Sequence, residues 1–588
     1  MDTNKSLFWE RFNSRDDLKK YGVDALLLFA LQLKFGIEDI DLVADNSLTE
    51  GSDDKKTDLV YIDSEEGRAV IAQTYVAESL VGKDGKPKTA PANKASDLSN
   101  AVTWLLSSPI SDLPENLKSH AEELRQAISG GAIQNIYIWY VHNLSESKNV
   151  SKELETVERT TDSVIKSCFP QCADISIQAL EVGVTILDEW YEAILTPILV
   201  SNEFDIPIYG GFEIADADWK AYVTAIPAVW LSGLFQTYKT DIFSANVREY
   251  LGSRKDINNI NNGIKQTAQN DPGHFWVFNN GITVLVHKFE EIKKGEGKML
   301  HIKGFAIVNG SQTTGAIGSL DKPLEDNTMV QVRFITCDNQ DTLRDIVEYN
   351  NTQNIILGPD FRSKDNIQTR LTTEFESIPG ISYFPRRGGY EDIIKRRPDM
   401  LPSVTAGQAL AAFHGDPDIA YHQKTHMWEE NLLYSTYFNE QTKAKHVLFA
   451  LSLLKSIEKK KIGLWIKSKD NSLVGKEKDQ FDFFRKRGST FMMTSAIARC
   501  LEDILNKQIP NLFRLDFKAN LSFEEAIDKW ASIVNAASAY TEPLVEGLAD
   551  GFKTRETVDK AILRFQSDIV ATREALTTIY DEFAKQVS

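Results

Sequence analysis

Amide and hydroxyl side chains, with one arginine, recur in five neighbouring segments of the sequence between residues 240 and 375. Each stands at the edge of an apolar stretch that is typical of a strand or a helix. A buried amide is costly without hydrogen-bond partners, so segments that converge would form a site for an anionic, hydrogen-bonding ligand. If the segments scatter, the same residues are turns and caps. The set consists of Asn246, Arg248, Asn280, Asn309, Gln312, Thr313, Asn351 and Gln353.

Two of these segments predict particular local structures. Phe275 to Phe278 and Ile282 to Val286 predict strand arms around the turn at Asn280, for which a plain hairpin turn is the alternative interpretation. Phe305 to Val308 predicts a buried strand that leads into a polar turn and then a helix from about Thr313. Strand-to-helix junctions of α/β sheets bind ligands, and the backbone amides at a helix N-terminus attract phosphate.

The ordered motifs NVREYLG, FWVFNNGIT, IVNGSQTT and NNTQN resemble those of the AIPR family, named for abortive phage infection, over roughly residues 240 to 540. The resemblance implies an anti-phage role, typically by stopping or killing the infected cell, and supplies no reaction. The IVNGSQTT turn is also distantly similar to the Asp-Gly-Gln-Gln-Arg turn of ParB-like nucleotide-binding domains. Asn309 replaces that Asp and Thr313 that Arg, which argues against NTP hydrolysis but leaves nucleotide binding open.

A hairpin is predicted for the strand-forming stretches Asp58–Asp63 and Ala69–Val76. It resembles the core of restriction endonucleases, which place an Asp at the start of one strand and Glu or Gln, any residue, then Lys on the next. The resemblance implies Asp58 as the ligand of a divalent metal that activates water, Gln73 in the second position, and Glu38 or Glu50 as an upstream acid.

The third position of this pattern departs from the expected lysine. Tyr75 stands there and carries no positive charge at neutral pH, and Lys83 in the following loop is a possible substitute. An active nuclease with Mg²⁺ or Mn²⁺, an inactive core that still holds nucleic acid or a partner, and a coincidental hairpin therefore remain open. No other cofactor is expected.

Length and pattern predict a multidomain protein of mixed α/β class. The 588 residues divide into a restriction-endonuclease-like α/β unit (1–200), a central α/β unit that carries the AIPR motifs (201–400) and a mainly helical unit (401–588). Within these, a helix is predicted at Ala217–Thr224 and a long one at Thr557–Ala584. The helical unit is also a candidate for homo-oligomer formation through its apolar faces.

Charge and composition restrict the partners. The net charge of −18 disfavours nucleic-acid binding except at local basic patches. Two such stretches are Arg386–Arg397 and Lys455–Arg487, for which solvated surface is the alternative; Arg386 and Arg387, beside aromatics, are candidates for single-stranded nucleic acid. No apolar run is long enough to span a membrane and no signal-peptide layout is present, so a cytoplasmic location is expected.

Three hypotheses follow. The first is a phage-defence effector that binds nucleic acid or a nucleotide and cleaves nucleic acid with a metal. The second is a non-catalytic sensor or scaffold that binds a phage-encoded trigger or a partner protein. The third is nucleotide hydrolysis in the central unit, which phosphate release from wild type and the Gln312→Ala variant would test.

Overall fold

The computed structural model describes residues 6–49, 54–81, 87–195, 198, 200–238, 242–243, 257–294, 297–320, 324–325, 327–352, 362–363, 365–385, 399–549, 551–552 and 554–588. These residues form a mixed α/β structure with several sheets and a helical C-terminal region, which confirms the predicted fold class.

A four-stranded sheet in the order β1-β2-β3-β4 is the centre of the N-terminal unit. β1 and β2 form the predicted antiparallel hairpin, whereas β2, β3 and β4 run parallel and are joined by helical crossovers. The strands are β1 (Leu59–Asp63), β2 (Arg68–Tyr75), β3 (Asn135–His142) and β4 (Ser176–Val182). The helices are α1 (Leu7–Asn13), α2 (Ala25–Phe35), α3 (Ile40–Ser47), α4 (Ala92–Leu106), α5 (Glu115–Ser129), α6 (Lys148–Cys168) and α7 (Val184–Leu195).

The central unit is built on a sheet in the order β5-β10-β8-β11-β7-β6, with β9 also paired to β10. Its strands are antiparallel except for the β8–β11 pair. The strands are β5 (Val200–Ile208), β6 (Gly211–Ala215), β7 (Trp219–Pro227), β8 (Ile282–Leu285), β9 (Lys288–Lys294), β10 (Gly297–Asn309) and β11 (Met329–Cys337). The helices are α8 (Ala228–Tyr238), α9 (Ile257–Asn270), α10 (Phe275–Phe278), α11 (Ser311–Gly318) and α12 (Gln340–Thr352).

Two predicted elements of this unit are wrong. Phe275–Phe278 is a short helix and not a strand, because it continues a 3₁₀ turn at Pro272–His274 and because the Asn279 side chain donates a hydrogen bond to the Phe275 carbonyl at 3.0 Å. The stretch predicted as a helix at Ala217–Thr224 lies mainly in β7, because β7 pairs with β11 along its whole length and this tertiary pairing outweighs local preference.

Helices make up most of the C-terminal region, which begins with α13 (Asn366–Phe375) and the short parallel pair of β12 (Ser382–Phe384) and β13 (Met400–Pro402). The predicted long helix at Thr557–Ala584 is interrupted near Thr572. No helix in the described ranges is both long and apolar enough to cross a membrane. The remaining helices are α14 (Ser403–Phe413), α15 (Pro417–His422), α16 (His426–Glu429), α17 (Asn431–Tyr437), α18 (Ala444–Lys469), α19 (Glu477–Phe484), α20 (Ser489–Arg499), α21 (Leu501–Leu505), α22 (Phe523–Ala537), α23 (Glu542–Leu548), α24 (Arg555–Ala571) and α25 (Thr577–Ala584).

The N-terminal unit and the helical region share one apolar core. Helix α2 is buried on nearly all sides, as a helix between two layers must be. Phe29 of α2, Trp139 of β3 and Phe449 of α18 belong to the same cluster of buried apolar residues. The central sheet has separate cores on its two faces. The domain boundaries near residues 200 and 400 remain predictions.

Candidate functional site

Asp58 lies immediately before β1, where the hairpin begins. Its backbone N–H donates to the Ala72 carbonyl at 2.9 Å, and its carboxylate accepts the backbone N–H of Thr74 at 2.6 Å. Burial raises the pKa of Asp58 to about 7, although the bond from Thr74 opposes this rise. The carboxylate is therefore fixed in place but poorly solvated, and a bound cation would stabilise its charged form.

Gln73 lies opposite Asp58 on the neighbouring strand β2, with its side chain only 4% exposed. Gln73 and Asp58 each stand two residues from a side chain of the core under α4 to α6, Ile71 and Val60 respectively, so both point to that face of the sheet. Within the described part of the chain, the amide oxygen of Gln73 has no hydrogen-bond partner. A buried acceptor without a partner costs about 1–3 kcal/mol. Other buried polar atoms of the described residues, such as Gln480 Oε1, share this property, and what distinguishes Gln73 is its place beside the Asp58 carboxylate.

A positive charge reaches this face from a different element. Lys94, in the first turn of α4, places its ammonium 5.4 Å from the centre of the Tyr75 ring. Its charge lowers the pKa of Asp58, against the larger effect of burial. Lys94 therefore brings a positive charge close to Tyr75, the position at which the restriction-endonuclease pattern has lysine. Sequence reasoning missed it because Lys94 belongs to the helix that follows β2, and Lys83, which we considered instead, lies outside the described residues.

Two further carboxylates raise the pKa of Asp58 in addition to burial: Asp24, just before α2, and Asp54, in the loop before β1. Burial raises the pKa of Asp24 to about 6, an effect that its ion pair with Lys469 at 3.6 Å opposes. In the same loop, Lys55 and Lys56 have positive φ angles of 51° and 68°. Non-glycine residues pay an energetic cost for this conformation, and such strain clusters at functional sites.

Glu38 does not join this group. It lines a cavity of about 180 Å³ together with Asp63 and Lys424, at the other end of β1 from Asp58. The five residues of β1 separate the two ends by roughly 16 Å, at about 3.3 Å a residue. Glu50, the other upstream acid that we considered, lies outside the described residues.

The oxygen atoms beside Asp58 partly meet the needs of a divalent metal. Nowhere in the described ranges do three or more His, Cys, Asp or Glu side chains group together as metal ligands. Two kinds of oxygen are nevertheless available: the Asp58 carboxylate, and the Gln73 amide oxygen, which has no hydrogen-bond partner among the described residues. Mg²⁺ takes oxygen ligands and is often held by one or two protein groups, with water and substrate phosphates completing its shell.

Two of the central motifs meet at one end of the strands of the central sheet. The turn before β8 contains Gly281 and the turn after β10 contains Gly310, both with positive φ. A Cβ on Gly310 would lie 2.7 Å from the Gly281 carbonyl oxygen, and one on Gly281 would lie 2.3 Å from the Gln331 carbonyl oxygen. Glycine is therefore required in both motifs because their backbones touch.

Two hydrogen bonds link polar residues near these turns. The Asn309 side chain donates to the Asn350 carbonyl at 2.8 Å, and Arg333 donates to the Asn350 side chain at 2.5 Å. Thr313 is buried in α11, where Gln312 is partly buried, while Asn280 is exposed beside the turn. The hydrogen bonds join β10, β11 and α12, which gives Asn309 a structural contact, while its predicted contact with a ligand stays a prediction.

Several predicted ligand residues lie outside the described part of the structure: Arg248, Gln353, Arg386, Arg387 and Asn246. The same holds for the basic stretch that begins at Arg386. The backbone of Asn351 belongs to α12, but its side chain is not described.

Part of the basic stretch Lys455–Arg487 faces the N-terminal unit. Five of its cations form ion pairs with N-terminal carboxylates at 2.7 to 3.6 Å. The pairs are Lys455–Asp39, Lys461–Asp45, Lys469–Asp24, Lys486–Glu115 and Arg487–Glu123. These five cations therefore neutralise acidic side chains of the N-terminal unit.

Comparison with known families identifies the class. The family model described as "AIPR protein" matches residues 243–542, about half of the chain. The chain belongs to the AIPR family, whose name stands for abortive infection and phage resistance, and which is one of phage-defence proteins. The match covers most of the central sheet and much of the helical region. Neither the curated proteins nor the solved structures contain a match.

Proposed function

We propose that this AIPR-family protein is an effector of phage defence that binds nucleic acid at the N-terminal hairpin and cleaves it with Mg²⁺ or Mn²⁺. The carrying observation is the Gln73 amide oxygen, which is buried without a hydrogen-bond partner among the described residues and lies opposite Asp58. The hairpin geometry supports the proposal, because β1 and β2 are antiparallel and this pairing sets Asp58 beside Gln73.

Each residue of the hairpin has a distinct part in this proposal. Asp58 and Gln73 would hold the metal, which when bound supplies an activated water and neutralises the departing oxygen. Lys94 would attract the scissile phosphate and orient the attacking water from helix α4, on the same face of the hairpin. Tyr75, in contact with Lys94, would hold that ammonium above the end of β2.

The test uses labelled single- and double-stranded DNA and RNA with Mg²⁺, with Mn²⁺ or with EDTA. We expect cleavage by wild type, none in EDTA, and a loss of about 100-fold or more in Asp58→Ala and in Lys94→Gln, as for other positioned charges. Lys88→Gln, the same change at an exposed lysine nearby, should cleave like wild type. Identical traces for wild type and Asp58→Ala would contradict the nuclease proposal.

The non-catalytic alternative has a separate signature. A protein that only holds nucleic acid would bind it without cleavage, with an affinity that falls steeply with salt. In that case Lys94→Gln would reduce the dependence of affinity on salt, whereas Asp58→Ala would not weaken binding.

A further inference from the structure

Strand β6 is the edge of the central sheet and, among the strands that the structure describes, pairs with β7 alone. All five of its residues are exposed. Phe212 and Ile214 are 56% and 52% exposed, and Tyr209 just before the strand is 81% exposed. Alternate residues of a strand point to the same side, so Phe212 and Ile214 form one apolar stripe along a free edge.

Soluble proteins normally protect such an edge with lysine, proline, a bulge or a covering element. β6 contains no lysine and no proline, and its register with β7 is continuous over all five pairs. No described element covers it, because every residue of the strand is exposed. The strand also lies outside the part of the chain that the family model matches. Its open edge is therefore a feature that the AIPR match does not explain.

The negative charge around β6 indicates the charge of the partner that it would bind. Residues 209–218, YGGFEIADAD, contain three acidic and no basic residues. A second copy of the chain would bring two such segments together, and like charges across paired strands are destabilising. A strand with basic residues would instead complement Glu213, whose side chain lies on the opposite side from Phe212 and Ile214.

We propose that β6 binds an extended segment of a partner protein, with alternating apolar and basic residues, as an added strand of the central sheet. Backbone hydrogen bonds to the free edge would supply affinity. Contacts of apolar residues with Phe212 and Ile214, and of a lysine or arginine with Glu213, would supply specificity. This surface is independent of the N-terminal hairpin.

The probe is a fluorescein-labelled peptide of alternating lysine and valine, compared with a glutamate–valine peptide and followed by anisotropy. We expect the basic peptide alone to bind. Affinity should fall at least about tenfold in Phe212→Ser/Ile214→Ser, in which a central apolar contact is lost, and severalfold in Glu213→Gln. Val229→Ser, another exposed apolar residue, and Glu203→Gln, an exposed acid of β5, should behave as wild type.

Three results would overturn the proposal. The first is that wild type fails to bind the basic peptide. The second is that Glu203→Gln weakens binding as much as Glu213→Gln, which would indicate general attraction to an acidic protein. The third is that light scattering detects a dimer that Phe212→Ser/Ile214→Ser abolishes, which would mean that a second copy occupies the edge.

Discussion

Polar groups at the N-terminal hairpin and near the Gly281 and Gly310 turns of the central sheet differ in their hydrogen bonding. Near these turns, Asn309 and Arg333 both donate hydrogen bonds to Asn350. At the hairpin, the amide oxygen of Gln73 is buried without such a bond in the described structure, and the pKa of Asp58 is raised by burial. The central motifs are the more recognisable in sequence, yet the hairpin has the properties expected of a reactive site.

This difference distinguishes polar groups that stabilise the fold from polar groups that are available to bind a ligand. A polar group that its neighbours satisfy stabilises the fold, whereas a buried group left without a partner costs stability and persists where function requires it. The glycines of two family motifs, Gly281 and Gly310, therefore have a structural role in the central unit. The hairpin, which lies outside the family match, carries the site proposed for cleavage.

Gly310→Ala should have the largest effect on stability. The new Cβ would lie 2.5 Å from a methyl of Ile282 and 2.7 Å from the Gly281 carbonyl, at a φ of 92°. We expect a loss of about 3 kcal/mol or more in urea-induced unfolding, because both clash and strain contribute. Gly233→Ala, in helix α8 with open space around its Cβ, should be neutral or slightly stabilising. Equal losses for the two variants would contradict the packing described here.

Asn309→Leu should have the next largest effect. It removes the donor to the Asn350 carbonyl and leaves partly buried polar groups without their partner. We expect a loss of about 1–3 kcal/mol in the free energy of unfolding. If the variant keeps wild-type stability, Asn309 does not stabilise the fold, and its predicted role in binding a ligand becomes the better explanation.

Gln73→Leu should change the free energy of unfolding less than Asn309→Leu, or in the opposite direction. Since the Gln73 amide oxygen has no described hydrogen-bond partner, its removal should change stability by no more than about 1 kcal/mol, and in the stabilising direction if at all. Cleavage should be lost in the same variant. A destabilisation as large as that of Asn309→Leu would show that Gln73 is satisfied and structural.

Lys469→Gln should have the smallest effect on stability. Its side chain is 47% exposed in the ion pair with Asp24, and exposed pairs contribute about 0–1 kcal/mol. Thermal unfolding should therefore be nearly unchanged. A loss of several kcal/mol would mean that this pair, and not the shared apolar core, holds the helical region to the N-terminal unit.

Local patterns predicted much of the fold. The hairpin of β1 and β2, the buried strand β10 and the helical C-terminal region follow from residue spacing and strand or helix preference. β7 did not, because its strand conformation comes from pairing with β11, about a hundred residues away in sequence. Phe275–Phe278 also failed, because a preceding turn decides its conformation.

The candidate site at the hairpin could be predicted only in part. The resemblance to the restriction-endonuclease core selects Asp58 and Gln73, and the structure places them side by side on the hairpin. Lys94 and Asp24 could not be predicted, since each comes from another element and reaches the hairpin only through tertiary packing. The same holds for Lys455–Arg487, whose positive charge reads as a binding surface until its N-terminal carboxylate partners are known.

Calorimetric titration of Mn²⁺ into wild type, Gln73→Leu and Asp58→Asn tests the central claim most directly. Circular dichroism would establish that all three proteins are folded. The account predicts binding by wild type and its loss in both variants, because Asp58 and Gln73 supply the oxygens that hold the metal. Equal affinity in all three proteins, or no binding by wild type, would contradict it.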